Sequence, residues 1–320
     1  MPEDLPSSAQ PLRIGTRGSP LALAQAHETA RRLSETFGLE DGATEIVVIK
    51  TTGDMVLDRP LKEIGGKGLF TKEIEEALLD GRIDIAVHSS KDMPVEQPQG
   101  LVLSTFLPRE DVRDAFVAGP GSADFADLAA GTKVGTSSLR RRAQLLNKRP
   151  DLEVVEFRGN VQTRLKKLED GVAACTFLAM AGLSRLGQAQ IAREALSPDV
   201  MLPAVAQGAI GIEQRHGDGP VSTLLEGIHD TETATRIAAE RAFLAALDGS
   251  CETPIAGLAE LQGSEIRLRG EVLRPDGSEV IADDQTAPVE DAARLGDEMG
   301  RALLSQAGPG FFDWRAVDAV

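Results

Sequence analysis

Through its first two-thirds this chain alternates short apolar runs of strand length with stretches whose apolar residues recur at helical spacing. That alternation constrains the fold more than any other feature. Strands separated by helices predict an α/β architecture in which helices cover a mostly parallel sheet. Leu12–Thr16 reads as a strand, and Ser19 then caps a helix with Pro20 at its first position. Leu23, Ala26, Ala30, Leu33 and Phe37 fall on one face of that helix. Glu45–Lys50 reads as a strand and Leu69–Leu79 as a helix after the loop Gly65-Gly66-Lys67-Gly68. Arg82–His88 reads as a strand with Ile83, Ile85 and Val87 on one face.

The pattern then repeats. Thr132–Gly135, Leu152–Phe157 and Val172–Leu178 read as strands. Ser137–Asn147, Asn160–Leu168 and a segment ending at Leu186 read as helices, and Ala209–Gln214 as one more strand. Beyond Asp230 the character changes to a small α+β unit. It has a helix over Thr231–Leu247 and strands over Ile266–Leu273 and Glu279–Ala282 around the turn Pro275-Asp276-Gly277. A last helix carries Ala292, Leu295, Met299 and Leu303 on one side.

Charge is distributed unevenly. The formal net charge is −16, yet six arginines fall between Gly135 and Arg164 against three acids, Asp151, Glu153 and Glu156. An acidic chain that gathers arginine locally has the makings of an anion pocket, because the planar guanidinium fork donates two parallel hydrogen bonds to a carboxylate. The acidic total argues against general nucleic-acid or membrane-surface binding. No apolar run approaches the ~20 residues of a membrane-spanning helix. The start, Met1-Pro2-Glu3-Asp4, lacks the basic and apolar segments of a secretory signal, so residues 1–11 read as a disordered lead-in to a cytoplasmic enzyme. Cys175 and Cys251 make no disulfide framework, and the four histidines show no metal-ligand spacing.

Four loops share one design, in which a strand ends, a small polar loop carries a cation, and a helix begins. They are Gly15-Thr16-Arg17-Gly18-Ser19, Gly66-Lys67-Gly68, Gly135-Thr136-Ser137-Ser138 ahead of Arg140-Arg141, and Arg158-Gly159-Asn160. Each can be an ordinary capped helix start with solvated arginines. Together they suit anions, since free backbone N–H groups and the positive helix end point at the same place. The strand Arg82–His88 runs into Ser89-Ser90-Lys91-Asp92-Met93-Pro94, which puts Lys91 and Asp92 in a loop at its carboxyl end. Asp92 either bonds its own turn or presents a carboxylate able to accept hydrogen bonds and move protons. Cys175 sits in an apolar run and reads as a buried small hydrophobe, whereas Cys251 follows a helix in a loop.

These segments resemble the porphobilinogen deaminase family, also called hydroxymethylbilane synthases. The likeness rests on Thr16-Arg17-Gly18-Ser19-Pro20-Leu21-Ala22-Leu23, Gly66-Lys67-Gly68-Leu69-Phe70, His88–Pro94, Gly135–Arg141, Arg158-Gly159-Asn160-Val161, Ala181–Gly187, Pro203–Gly208 and Cys251 in a Gly-x-Cys-x-x-Pro setting. They run in the family's order from Leu12 to about Ala259.

The resemblance implies two periplasmic-binding-protein-like α/β domains with a cleft between them, plus a small α+β C-terminal domain. The expected bounds are 12–108 with 208–227, 109–207, and 228–320. It implies a monomeric transferase and a dipyrromethane cofactor joined to Cys251 by a thioether. Four porphobilinogen units are added to this primer with loss of ammonia, and hydroxymethylbilane is released. Asp92 would be catalytic. Arg17, Gln25, Lys67, Ser89, Lys91, Thr136, Ser137, Ser138, Arg140, Arg141, Arg158, Arg164 and Arg185 would bind cofactor or substrate. Ala174 departs from the family, which has an aspartate there. A non-catalytic periplasmic-type anion receptor would share the fold and the arginines but leaves Cys251 and Asp92 unexplained. A nucleic-acid binder is opposed by an aromatic content of 3% with no tyrosine.

Overall fold

The computed structural model of the chain describes residues 5–55, 71–247, 253–308 and 310–313. The chain divides into two compact units, Met1–Glu110 with Gly208–Ala234, and Asp111–Gln207 with Thr235–Val320.

The first unit holds a five-stranded sheet built from β1 (Leu12–Thr16), β2 (Thr44–Val48), β3 (Ile85–Ser89), β4 (Leu101–Phe106) and β10 (Ile210–Arg215). Its order is β2-β1-β3-β10-β4, with β1 parallel to both β2 and β3, and β10 antiparallel to both β3 and β4. Helices α1 (Pro20–Phe37) and α7 (Gly219–Glu226) cover one face, where Ala26, Leu33, Leu224 and Leu225 pack on Leu12, Ile14, Val87, Ile210 and Ile212. Helix α3 (Lys72–Leu79) covers the other with Ile74, Ala77 and Leu78 against Ile83 and Ala86. Each such aliphatic side chain contributes roughly 1.5–3 kcal/mol of burial free energy. A short helix, α2 (Thr52–Met55), lies ahead of α3.

The second unit repeats the frame with β5 (Asp114–Ala118), β6 (Lys133–Gly135), β7 (Glu153–Val155), β8 (Cys175–Ala179) and β9 (Glu194–Ala195) in the order β7-β6-β8-β5-β9. Again three parallel strands are followed by two antiparallel pairings. Helices α4 (Leu139–Lys148), α5 (Val161–Glu169) and α6 (Met180–Arg185) accompany it. The same unit contains a three-stranded antiparallel sheet, β11 (Ile255–Gln262), β12 (Glu265–Leu273) and β13 (Val280–Pro288), with α8 (Thr231–Ala246) and α9 (Ala292–Gln306). Two five-stranded α/β sheets and a small α+β C-terminal portion therefore make up the fold.

Several expectations hold closely. Strand β1, the Ser19 cap and the buried stripe Ala292, Leu295, Met299 and Leu303 are as read, and Cys175 is fully buried. The sheets are mostly parallel as expected, except that one strand in each, β10 and β5, runs against the other four. Others shift. In α1 the buried stripe is Ala22, Gln25, Ala26, Thr29 and Leu33, with Leu23 only half-buried. Helix α4 begins at Leu139 behind a Ser138 cap, two residues later than expected. Strand β13 continues to Pro288, since its alternating half-exposed residues make a polar edge strand that lacks an apolar signature.

Candidate active site

Strand β1 ends in Gly15-Thr16, and β6 ends at Gly135 with Thr136 next. A Cβ at Gly15 would collide with Ile83, and one at Gly135 with the Phe157 ring, so both strands need glycine to pack this closely. After Gly15 the Thr16 hydroxyl donates to the carbonyls of Ala22 and Val87 at 3.3 and 3.4 Å. This ties the loop that carries Arg17 to both the helix it precedes and the adjacent strand. The Ser19 hydroxyl then accepts from the Ala22 N–H at 3.2 Å and starts α1.

Strand β3 ends beside this loop. Ser89 and Gln25 join through the Gln25 amide, which donates to the Ser89 hydroxyl at 2.8 Å. A single 3₁₀ turn, Ser90–Asp92, follows, closed by the Met93 N–H donating to Ser90 O at 3.2 Å. The turn leaves Asp92 exposed while Ser90 and Met93 are buried. Arg17, Ser19, Gln25, Thr71, His88, Ser89 and Asp92 all line one pocket within the first unit. Four residues expected from the sequence, Arg17, Gln25, Ser89 and Asp92, are thus brought together. Lys91 lies on the same turn, half-buried. Lys67 lies outside the described residues.

In the second unit the corresponding loop is Thr136-Ser137-Ser138. The Thr136 hydroxyl accepts from the Ser138 N–H at 3.2 Å, Ser137 from the Phe157 N–H at 3.0 Å, and Ser138 from the Arg141 N–H at 3.4 Å. Behind them lies a carboxylate that the sequence reading did not single out. Asp114, the first residue of β5 and fully buried, pairs with Arg140 at 2.8 Å and Arg141 at 2.7 Å. Gln207 donates to the same carboxylate at 3.0 Å. Arg140 also donates to Leu202 O at 2.7 Å, and Arg141 to Phe177 O at 2.8 Å. Burial alone would raise the Asp114 carboxyl, but the charges of Arg140 and Arg141 outweigh it and hold it well below the usual carboxylate range. Burial lowers the Arg140 guanidinium in turn.

Arg164, on α5, is pushed down to about 10 by burial first and by the charge of Arg141 second, with Glu156 opposing. Its Nε donates to Gly159 O at 2.9 Å. Arg158 pairs with Glu156 at 3.1 Å. Arg140, Arg141, Arg158 and Arg164 outnumber the acids that act on them among the described residues, Asp114, Glu156 and Glu271. Such a surplus suits a ligand with several carboxylates. Arg185 closes α6, half-buried. Cys251 lies outside the described residues. Cys175 is no candidate, because burial pushes its thiol up to about 12.

Residues 12–223 match the family model described as "Porphobilinogen deaminase, dipyromethane cofactor binding domain", and residues 234–305 match "Porphobilinogen deaminase, C-terminal domain". The chain belongs to the porphobilinogen deaminase family. A porphobilinogen deaminase of Paracoccus denitrificans (strain Pd 1222) is 65% identical over 310 residues, covering 97% of this chain and 99% of its own. A chloroplastic porphobilinogen deaminase of Oryza sativa subsp. japonica is 54% identical over 307 residues, covering 94% of this chain and 86% of its own. Among solved structures, the periplasmic VFT2 domain of BvgS from Bordetella pertussis matches 72% of this chain and 92% of its own, at 15% identity and a TM-score of 0.41. That last likeness is too loose to bear on function.

Members of the porphobilinogen deaminase family are enzymes, and the cofactor domain named by the match spans both arginine-bearing loops. Among the described residues no helix is long and apolar enough to cross a membrane. Three polar residues here escaped the sequence reading: Asp114, Gln207 and Glu213. Their common signal is a polar side chain at or inside an apolar strand or turn, where an unpaired polar group would be costly. A surplus of arginine elsewhere in the chain is the natural partner for such an acid.

Proposed function

We propose that the chain is a transferase that joins four porphobilinogen molecules head to tail on a covalently held dipyrromethane primer. Ammonia leaves at each addition, and linear hydroxymethylbilane is then released by hydrolysis. The observation that carries this reading is the exposed Asp92 carboxylate lining one pocket with Arg17, Gln25 and Ser89, in a chain of this family.

Each pyrrole ring of such a substrate bears an acetate and a propionate, so the growing chain is a polycarboxylate. Arg17 from the first unit and Arg158, Arg164 and Arg185 from the second bind these carboxylates. Lys67, Lys91 and the hydroxyls of Ser89, Thr136, Ser137 and Ser138 supply further donors. Arg140 and Arg141 act from the interior, fixed by Asp114, and add positive charge behind the Thr136–Ser138 loop. Pyrrole N–H groups are donors, and the Asp92 carboxylate accepts from them. The same carboxylate stabilises the cation left when ammonia departs from the substrate and moves protons at the coupling carbon.

The arginine surplus in the second unit suits a group with four carboxylates, and Cys251 is assigned as its thioether attachment point. When bound, the dipyrromethane supplies the nucleophilic pyrrole carbon on which growth starts. Residues 228–320 serve as the third domain that carries this attachment. The enzyme is assigned to the cytoplasm as a monomer that binds no nucleic acid.

Intact mass of the chain made in a porphobilinogen-replete host, beside its Cys251→Ala variant, tests the reading. Excess mass equal to two linked pyrrole units is expected in the parent and absent from the variant. Unmodified parent protein that releases no ammonia from porphobilinogen would leave an anion-binding protein in its place.

A further inference from the structure

The first-unit pocket contains a second titratable side chain that the reaction as described does not use. His88 lines the pocket beside Asp92 yet is itself 6% exposed, and its Nε2 lies 3.2 Å from Glu213 Oε2. Glu213 is fully buried on β10, and its other oxygen, Oε1, has no hydrogen-bond partner among the described residues. With the Glu213 carboxylate as acceptor in this contact, Nε2 is the nitrogen that carries the hydrogen. Nδ1 is then left as a proton acceptor, and it has no hydrogen-bond partner among the described residues. A carboxylate that fixes the tautomer of a pocket-lining imidazole is the arrangement by which a histidine is made a directed proton acceptor.

We propose that His88 is a proton-transfer residue of this pocket, oriented by Glu213 and working beside Asp92. The inference rests on the function proposed above. When the new carbon–carbon bond forms, a pyrrole carbon–hydrogen bond breaks and its electron pair restores the aromatic ring. The freed proton is finally taken up by the ammonia released in the same cycle as ammonium, so atoms and charge balance. Asp92 moves that proton off the coupling carbon and must pass it on, because its carboxylate is needed again to stabilise the next cation. His88 Nδ1 takes it, and Glu213 stabilises the imidazolium so formed. The charged or titratable groups around His88 are Glu213 from β10, Glu75 from α3, and Arg17 and Asp92 from the pocket wall. Glu75 is raised by burial first, with the Thr71 hydrogen bond and the charge of His88 opposing and the charge of Glu213 adding to the rise.

The cofactor-loaded chain is compared with His88→Gln, whose amide can still donate to Glu213, and with Glu213→Gln. His88→Gln should lose ~10²-fold in kcat with little change in KM and with the covalent mass intact. Its kcat–pH profile should lose one limb. Imidazoles added to His88→Ala should restore turnover in the order of their basicity, which a packing role would not produce. Independently of turnover, nitrogen spectra of the unmutated chain with labelled histidine should show His88 protonated on Nε2, and Glu213→Gln should weaken that preference. Protonation on Nδ1 with Nε2 bare would overturn the proposal, as would a His88→Gln enzyme with the parent's kcat and pH profile. An unmutated chain that does not consume porphobilinogen would instead remove the function itself.

Discussion

The two α/β sheets share one pattern of parallel and antiparallel pairing, yet their antiparallel strands bury opposite kinds of carboxylate site. In the first sheet β10 places Glu213 against a histidine, a partner that can gain or lose a proton near neutral pH. In the second, β5 places Asp114 against two arginines, which never do. The strands beside them end differently too. After β3 comes Ser90-Lys91-Asp92, with an exposed acid, and after β8 comes Met180-Ala181-Gly182, which is apolar and buried. One frame has been used once for titratable chemistry and once for permanent charge. A duplicated fold therefore does not predict duplicated roles. The polar residues placed at the strand ends decide them.

The sharpest way to break this contrast is to remove the titratable acid on one side. Asp92→Ala should reduce turnover by ~10²- to 10⁴-fold while thermal stability and bound primer mass stay near the parent's. Near-parental turnover would take Asp92 out of the chemistry. On the other side, Asp114→Asn should act on stability, costing ~3–5 kcal/mol in denaturant unfolding because two buried guanidiniums lose their counter-charge. The pH sign follows from the depressed folded pKa of Asp114. Its stabilisation is complete above the unfolded value of about 3.9 and is lost as pH falls through the folded value. Asp114→Asn should therefore be less stable at neutral pH and show a flatter acid limb. An unchanged acid limb would mean that other carboxylates set it.

A smaller effect is expected at Arg164. Arg164→Gln should weaken binding of the carboxylate-rich ligand by ~1.5–3 kcal/mol, read as primer occupancy or KM. In the ligand-free chain the same change should cost no stability, because it relieves repulsion from Arg141. A large drop in melting temperature without ligand would show that Arg164 is structural.

Much of this was legible in the sequence where local signals and tertiary packing agree. Ser19-Pro20 fixed the start of α1, Asn160 capped α5, and the spacing of Ala292, Leu295, Met299 and Leu303 marked the buried face of α9. Asp92 stood out through its turn, and the arginines stood out against an acidic background. Strands β4, β5, β9 and β11 and helix α7 were not read. Strand β9 has only two residues, and β5 begins on Asp114, whose polarity masks a buried position. The direction of β10 was hidden for another reason. It pairs with strands about a hundred residues earlier, and no local pattern encodes that partner.

The path of the chain between the units has a consequence for how it is made. All five strands of the second sheet come from residues 114–195, an unbroken stretch. The first sheet has β10 between β3 and β4, and β10 does not leave the ribosome until residues 210–215 have been added. The sheet begun first is thus completed after the second sheet. A nascent chain halted near residue 207 would hold a complete second sheet beside a first sheet whose edge strand β4 has nothing to pair with. Until then the pocket that His88, Ser89 and Asp92 help to line lacks the strand that braces its floor.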